Sequence, residues 1–549
     1  MKVSRYRMAW LVCGSTWFFA SLMLPLETRA GARTVARDTE QTEASAIAAG
    51  LDFERQSRWA EAIEIYEKSS TQWPENSQLQ YGLRRSKVHL SVERRYSDRS
   101  FGEMLMTLNQ NDALTYLDEV LLKIRKHYVD SVSSTSLVAH GTESLYLALN
   151  NPKFLDKNAP NATPDSLNRV RRTLRDQYWN RPVTSQQHAR QTVLEICDLA
   201  ERELQVSSTP VILEYVFGCC NSLDDYSSYL TPSRLDDLYN NIEGEFVGIG
   251  IEMKAEIGHG MLLMNVLSES PAEEGGARIG DWIVAVDGID CRQMSTEEAA
   301  ALLQGSPNSP VKLRLHDPEN DEERDAALVR RAVKVKSIPT AKIVDQTSGI
   351  GYIRMTGFQK NTSNELDAAL LDLNRQGMQA LIWDLRGNPG GLLPAAVEVL
   401  DRFLEEGVIV STKGRTSDQD WTYSAQRPGT WKVPLVLLVD GDSASASEIV
   451  AGAIRDHQRG TIVGRKTYGK WSVQSILPCR SKSGLRLTTA KFYSPNGQNY
   501  GKIGVEPDLP VTLEENQTAA YRGRRREKLD DDLDVKTGVD VLRKQLARR

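Results

Sequence analysis

Three short runs limit the fold of this chain more than anything else in it: GIGYIRM at 349–355, ALIWDLR at 380–386 and VPLVLLVD at 433–440 are apolar at nearly every position. A strand with one wet face alternates apolar and polar side chains, so runs this uniform belong to strands covered on both faces. Helical stretches follow each of them, near 363–376, after Leu392 and from Ala446. Strand and helix in alternation predict an α/β unit with a buried sheet, placed here at 338–515.

The rest of the 549 residues is too long for one core and divides by periodicity. Residues 244–337 read as a compact β-rich domain (EFVGIGIEM, GMLLMNVL, WIVAVDG, VKLRLHD) with one short helix, STEEAAALLQG. Residues 105–243 read as helical; Leu117, Val120, Leu121, Ile124 and Tyr128 follow the 3.6-residue period, 150–166 is expected as a loop, and LDDYSSYLTP ends the region with turn residues. Within 31–100, Gly50, Ala62, Tyr66 and Pro74 have the spacing of a single tetratricopeptide repeat, which an ordinary helical hairpin also satisfies. The charge blocks of 516–549 predict a mobile tail or a solvated helix. The expectation is a multidomain α+β chain: an α/β core, an inserted β-rich domain and an all-α N-terminal region.

Lys2, Arg5 and Arg7 precede the apolar run 8–26, so residues 1–30 are expected to be an export signal or, if uncleaved, a membrane anchor. The protein is therefore expected to be exported, to the periplasm or envelope. A formal net charge of −5 offers no field for a polyanion, which argues against nucleic acid as a partner. Five cysteines outside the apolar run define no disulfide framework, and seven histidines without ligand spacing give no metal site. No cofactor is expected.

Chemistry concentrates in residues 433–474. An apolar strand enters the turn Gly441-Asp442-Ser443-Ala444 and leaves as a helix, placing Ser445 at the helix N-terminus, where unpaired amides and the dipole can stabilise an oxyanion. The Ala446 amide is the natural donor. The same string, Ser445-Ala446-Ser447-Glu448, is also a capping box, in which Ser445 serves only to start the helix. A nucleophilic serine needs a base. His457 lies twelve residues along the same helix, roughly 18 Å away at 1.5 Å per residue, and is excluded. Lys470, in a turn ahead of the alternating strand WSVQSIL, can serve if desolvation lowers its pKa from about 10.4 towards neutrality, and Gln474 can orient its amine. The G-x-x-x-x-G-K string at 464–470 is no nucleotide loop: Trp471 replaces the hydroxyl residue and a strand pattern follows where a helix is required.

SASASEIVAGAIRDH followed by TYGKWSVQ resembles the C-terminal processing peptidases, or tail-specific proteases, a Ser/Lys family. The resemblance implies Ser445 as nucleophile, Lys470 as base, Gln474 as its support, and, through DLRGNPGGLL at 384–393, the Gly391 amide as second oxyanion donor beside Ala446. It also implies a crotonase-like ββα core and covers roughly 105–515. GEFVGIGIEM and SESPAEEGGARIGDWIVAVDG are similar to a bacterial PDZ domain, which implies that Phe246, Val247, Gly248, Ile249 and Gly250 present amides to a substrate's terminal carboxylate. The expected partners are proteins with exposed apolar C-termini, with adaptor or oligomer contacts through the helical N-terminal region. Trp471 stands where the family usually has a glycine and is expected at the pocket mouth. The rival reading is a non-catalytic peptide-binding scaffold.

Overall fold

The computed structural model describes residues 11–13, 42–256, 258–294, 296–305, 307–512 and 529–548. Most of the apolar run 8–26 lies outside them; Leu11–Cys13 forms a short strand, considered below.

Helices Glu43–Arg55 and Trp59–Gln72 make a hairpin that packs on a third, Ser77–Tyr96. The Tyr66 ring fills the junction: a Cβ on Gly50 or Gly82 would sit 2.3 Å or 2.5 Å from ring atoms, so only glycine lets the helices approach. Beyond it, helices including Gln110–His127, Ser134–Ala148, Gln186–Leu204 and Ser208–Gly218 enclose a core to which Leu117, Val120, Leu121, Ile124 and Tyr128 all contribute. The stretch 150–166 is not a plain loop. Asn151 accepts from the Lys153 N–H with Pro152 at the first helical position, and this cap starts a helix, Pro152–Asn158.

The helical region is stitched to the α/β core by backbone. Strand Ser228–Leu230 pairs antiparallel with Gly484–Tyr493, Tyr229 opposite Leu485, and Leu485 and Leu487 belong to the helical core. The chain then runs through helix Pro232–Glu243 into a neck, where Glu245–Gly248 pairs antiparallel with Arg331–Lys334. The neck carries the β-rich domain, a sheet in the order Ile251–Glu256, Gly260–Val266, Trp282–Val286, Pro310–Asp317, Glu322–Val329, with helix Thr296–Leu303 beside it. Ile251–Glu256 is an edge: among the described residues it has a strand neighbour on one side only.

Two sheets form the core. Ile350–Arg354, Ala380–Asp384, Leu435–Val439 and Thr461–Gly464 run parallel, as the uniformly apolar runs require, and the middle pair is buried at every position. The second sheet contains Gly391–Leu392, Ser472–Pro478, Gly484–Tyr493 and Val408–Gly414. Helices Thr362–Arg375, Leu393–Leu400 and Ala446–Asp456 supply Leu366, Leu370, Val399, Ile449 and Val450 to the shared core.

The stretch expected as a mobile tail or a solvated helix is, over 529–548, packed on this core. Helix Leu533–Leu546 lies on the parallel sheet with Val535 and Leu542 buried against Ile350, Tyr352, Ile382, Val436 and Leu438. Charge at its surface masked an apolar stripe, Val535, Val539 and Leu542, at helical spacing.

Candidate active site

The turn from Leu435–Val439 into helix Ala446–Asp456 is closed by Asp440 and Ser443. The Ser443 hydroxyl donates to the Leu385 carbonyl (2.8 Å) and accepts from the Asp440 N–H (3.0 Å), while Asp440 accepts from the Gly387 N–H (2.9 Å). Helix and Gly387-containing loop are thus tied at their roots.

Ser445 has φ 60° and ψ −112°, a conformation that costs an L-residue of its size about 1–3 kcal/mol and persists only where surroundings impose it. Only half of the capping box forms. Glu448 Oε2 accepts from the Ser445 N–H at 2.9 Å, but the buried Ser445 hydroxyl has no hydrogen-bond partner among the described residues. Buried hydroxyls are ordinarily bonded, and this one makes no bond to its own helix. Ala446, the first helical residue, brings one of the amides that helix geometry leaves without an internal acceptor.

The facing loop is shaped by Asn388 and two glycines. Asn388 Oδ1 accepts from the Gly390 N–H (2.9 Å), its Nδ2 donates to the Met355 carbonyl (3.0 Å), and its carbonyl accepts from the Ala444 N–H (3.0 Å). A Cβ on Gly390 (φ 104°) would lie 2.8 Å from Ser445 Cβ and 2.9 Å from the Ala446 nitrogen, and one on Gly391 (φ 149°) 2.2 Å from the Phe358 carbonyl oxygen. The loop backbone therefore sits directly against Ser445 and Ala446.

Lys470 and Gln474 are both buried. The Lys470 N–H donates at 2.7 Å to the same Glu448 oxygen that serves Ser445, and Glu448 Oε1 accepts from Thr467 Oγ1 and the Gly469 N–H (2.7 Å). Burial pushes the Glu448 carboxyl above its ordinary range, against the opposing pull of these four donors. The Lys470 amine stands 4.6 Å from the ring centroid of Tyr226, which arrives from the helical region. It is not hydrogen-bonded to the Ser445 hydroxyl in this conformer. Gln474 donates to Ser472 Oγ (2.9 Å) and Thr488 Oγ1 (3.2 Å); its buried Oε1 has no partner among the described residues. Lys470 itself lies in the turn before strand Ser472–Pro478, not on it.

Trp471 is buried, not at a mouth. Its ring packs where a Cβ on Gly452 of the Ser445 helix would be 2.8 Å away, and 4.9 Å from Tyr500. His457 ends the helix, its Nε2 2.7 Å from the Val408 carbonyl. Of the expected carboxylate loop, Phe246, Val247 and Gly248 are neck strand, their backbones paired with Arg331–Lys334; only Ile249 and Gly250 form the loop into the edge strand. Tyr226, Glu448 and Asn388 were missed from sequence: Glu448 was read as cap alone, and only an aromatic in a turn-rich LDDYSSYLTP signalled Tyr226.

Between the two halves of the site lies the chain's own Leu11–Cys13, antiparallel to both flanking strands, with Cys13 opposite Gly391 and Val12 opposite Leu392 and Gln474. Its backbone stands in for an extended peptide.

Residues 349–511 match the model of peptidase family S41, and 263–316 match that of the PDZ domain. The chain is 37% identical over 311 residues to the carboxy-terminal-processing protease of Bartonella bacilliformis, covering 56% of this chain and 70% of that one. It is 36% identical over 294 residues to the carboxyl-terminal-processing protease of Synechocystis sp., covering 53% and 68%. A solved structure of a photosystem II D1 C-terminal processing protease aligns with 75% of this chain and 96% of its own, at 26% identity and a TM-score of 0.39. An uncommitted serine hydroxyl, a buried lysine and a glycine loop thus occur in a chain that is more than a third identical to these relatives over the aligned stretch, and the chain belongs to the carboxy-terminal-processing proteases, serine peptidases of family S41 that carry a PDZ domain.

Proposed function

We propose that Ser445 is the nucleophile, Lys470 the general base, Gln474 the acceptor that orients the lysine amine, and the Ala446 and Gly391 amides the oxyanion site. One observation carries this reading: a buried serine hydroxyl, on a strained backbone at a helix N-terminus, is left without a partner while a glycine loop is pressed against it.

Ser445 and Lys470 share one carboxylate oxygen through their backbones, so the two nitrogens are no farther apart than those contacts laid end to end. A turn of the flexible lysine stem then exchanges the Tyr226 face for the hydroxyl; catalytic hydrogen bonds commonly tighten only once substrate is bound. Ser445 Oγ attacks the scissile carbonyl as its proton passes to the Lys470 amine. The oxyanion forms between the two amides, and the ammonium returns the proton to the leaving amine. Water repeats the sequence and frees the acyl chain.

The substrate lies extended between Gly391–Leu392 and Ser472–Pro478, where Leu11–Cys13 now pairs. Its apolar C-terminus adds as a strand to the edge Ile251–Glu256, the carboxylate meeting the amides around Ile249 and Gly250. The basic residues before the apolar run support export of the enzyme, and its helical additions are the surfaces we assign to adaptors. Mass analysis of products from an unfolded substrate ending in apolar residues tests this. Cleavage by wild type, none by Ser445→Ala and none by Lys470→Ala is the expected result; equal turnover by either variant ends the assignment.

A further inference from the structure

Arg386 carries a fully buried guanidinium at the foot of the loop that faces Ser445. Nε and Nη2 fork onto Asp384 at 2.9 and 2.7 Å, and the Tyr352 hydroxyl also donates to Asp384 (2.7 Å). Its remaining nitrogen, Nη1, reaches beyond the sheet to two carboxylates of the C-terminal segment, Asp532 Oδ1 at 2.9 Å and Asp534 Oδ2 at 2.6 Å. Arg465 forks onto Asp534 from the other side at 2.9 and 2.8 Å. Asp532 also caps the C-terminal helix, its Oδ1 accepting from the Asp534 and Val535 N–H groups. Both acids lie outside the stretch matched by the peptidase family.

A guanidinium with no exposed surface is tolerable only when every donor is met and the local charge balances. Asp384 alone meets one edge of it. The residues that follow are then fixed in turn: Gly387 on Asp440, Gly390 on Asn388, and the Gly390 backbone on Ser445 and Ala446. A sideways shift of Arg386 is passed to Gly390 and Gly391 within five residues, and an oxyanion donor tolerates little displacement.

We propose that Asp534, assisted by Asp532, is a positioning residue for the reaction: the C-terminal helix holds Arg386, and Arg386 holds the oxyanion loop. This rests on the assignment of Ser445 and Gly391 given above. The same helix also docks by apolar contact, Val535 and Leu542 on the sheet, so charge and packing can be separated experimentally.

The test compares Asp534→Asn with Leu542→Ala in the full chain, measuring kcat and KM on a defined peptide, the inhibition constant of a matching peptide aldehyde, and Tm. Asn at 534 points an amide N–H2 into guanidinium donors, and its expected effect is a fall in kcat of at least about 10-fold with KM within about twofold. The aldehyde, whose adduct needs the oxyanion site, weakens in parallel. Leu542→Ala, with a comparable loss of Tm, keeps kcat within about twofold. Should Asp534→Asn not fold, Asp532→Asn retains the cap, since Asn caps as well as Asp, and removes only charge; a kcat loss of a few-fold is expected. Unchanged kcat in the aspartate variants, or an equal loss in Leu542→Ala, overturns the proposal. An active Ser445→Ala instead overturns the underlying assignment and takes this one with it.

Discussion

The backbone N–H groups of Ser445 and Lys470 end on a single oxygen, Glu448 Oε2, at 2.9 and 2.7 Å. One carboxylate, itself buried, therefore sets the separation of two residues twenty-five positions apart in sequence, with Thr467 and Gly469 occupying its other oxygen.

Glu448→Gln keeps the shape and removes half of the acceptors, turning an amide N–H2 towards backbone donors. We expect kcat to fall about 100-fold with a small change in KM, because the loss is of geometry and not of substrate contact. Steady-state kinetics on a short peptide check it. A KM effect without a kcat effect contradicts the hub.

Gln474→Leu removes the unpartnered Oε1 at nearly constant volume, and a kcat loss of about 10-fold follows if that oxygen orients the amine. Gln474→Glu acts differently. A carboxylate beside the lysine favours the ammonium, so the pH at which kcat reaches half its maximum moves to the alkaline side. pH–rate profiles of the two variants, side by side, distinguish orientation from packing.

Gly250 has φ 83°, and a Cβ there would stand 2.2 Å from Ser270 Cβ. Gly250→Ala is expected to distort the loop into the edge strand and raise KM about 10-fold for a substrate with an apolar tail. Turnover of a short peptide too small to reach the PDZ domain stays unchanged. Equal effects on both substrates would show that the loop does not read tails.

His89 is buried, stacked on Trp59 at 4.2 Å, and burial lowers its pKa to about 4. Between pH 6.5 and about 4 the unfolded imidazole takes a proton that the folded one refuses, so stability present at neutral pH is lost as pH falls through that window, by about 3 kcal/mol at most. His89→Phe keeps the stack and removes the titration. Thermal unfolding across pH 4–7 should show the difference between wild type and variant shrinking towards neutrality, with a constant difference counting against it.

Much of the core could be read directly because its strands are covered on both faces and so apolar without alternation; Leu381–Trp383 and Leu435–Val439 needed no tertiary information. The search for a base drew attention to Lys470, and the resemblance of SASASEIVAGAIRDH and TYGKWSVQ to the Ser/Lys peptidases brought Ser445, Lys470 and Gln474 forward together. What stayed hidden depends on contacts distant in sequence. Tyr226 reaches Lys470 across 244 residues, and nothing near it announces a lysine. The helix at Leu533–Leu546 looked solvated because its polar face dominates the string, and the role proposed for Asp534 depends on guanidinium groups 69 and 148 positions earlier, those of Arg465 and Arg386. The neck was misread for another reason: EFVGIGIEM has the residues of a strand, but the PDZ resemblance assigned Phe246–Gly248 to the carboxylate loop, and in the fold they pair with Arg331–Lys334.

The three-residue strand Ser228–Leu230 has a practical bearing on how this enzyme can be taken apart. Because Tyr229 completes the edge of Gly484–Tyr493, whose other neighbour carries Gln474, a cut at residue 243 leaves a peptidase fragment with bare ladder groups and an uncovered Leu485 and Leu487. The PDZ domain, hanging from a two-stranded neck, is the removable module; the helical half is as integral to the catalytic sheet as the strands themselves.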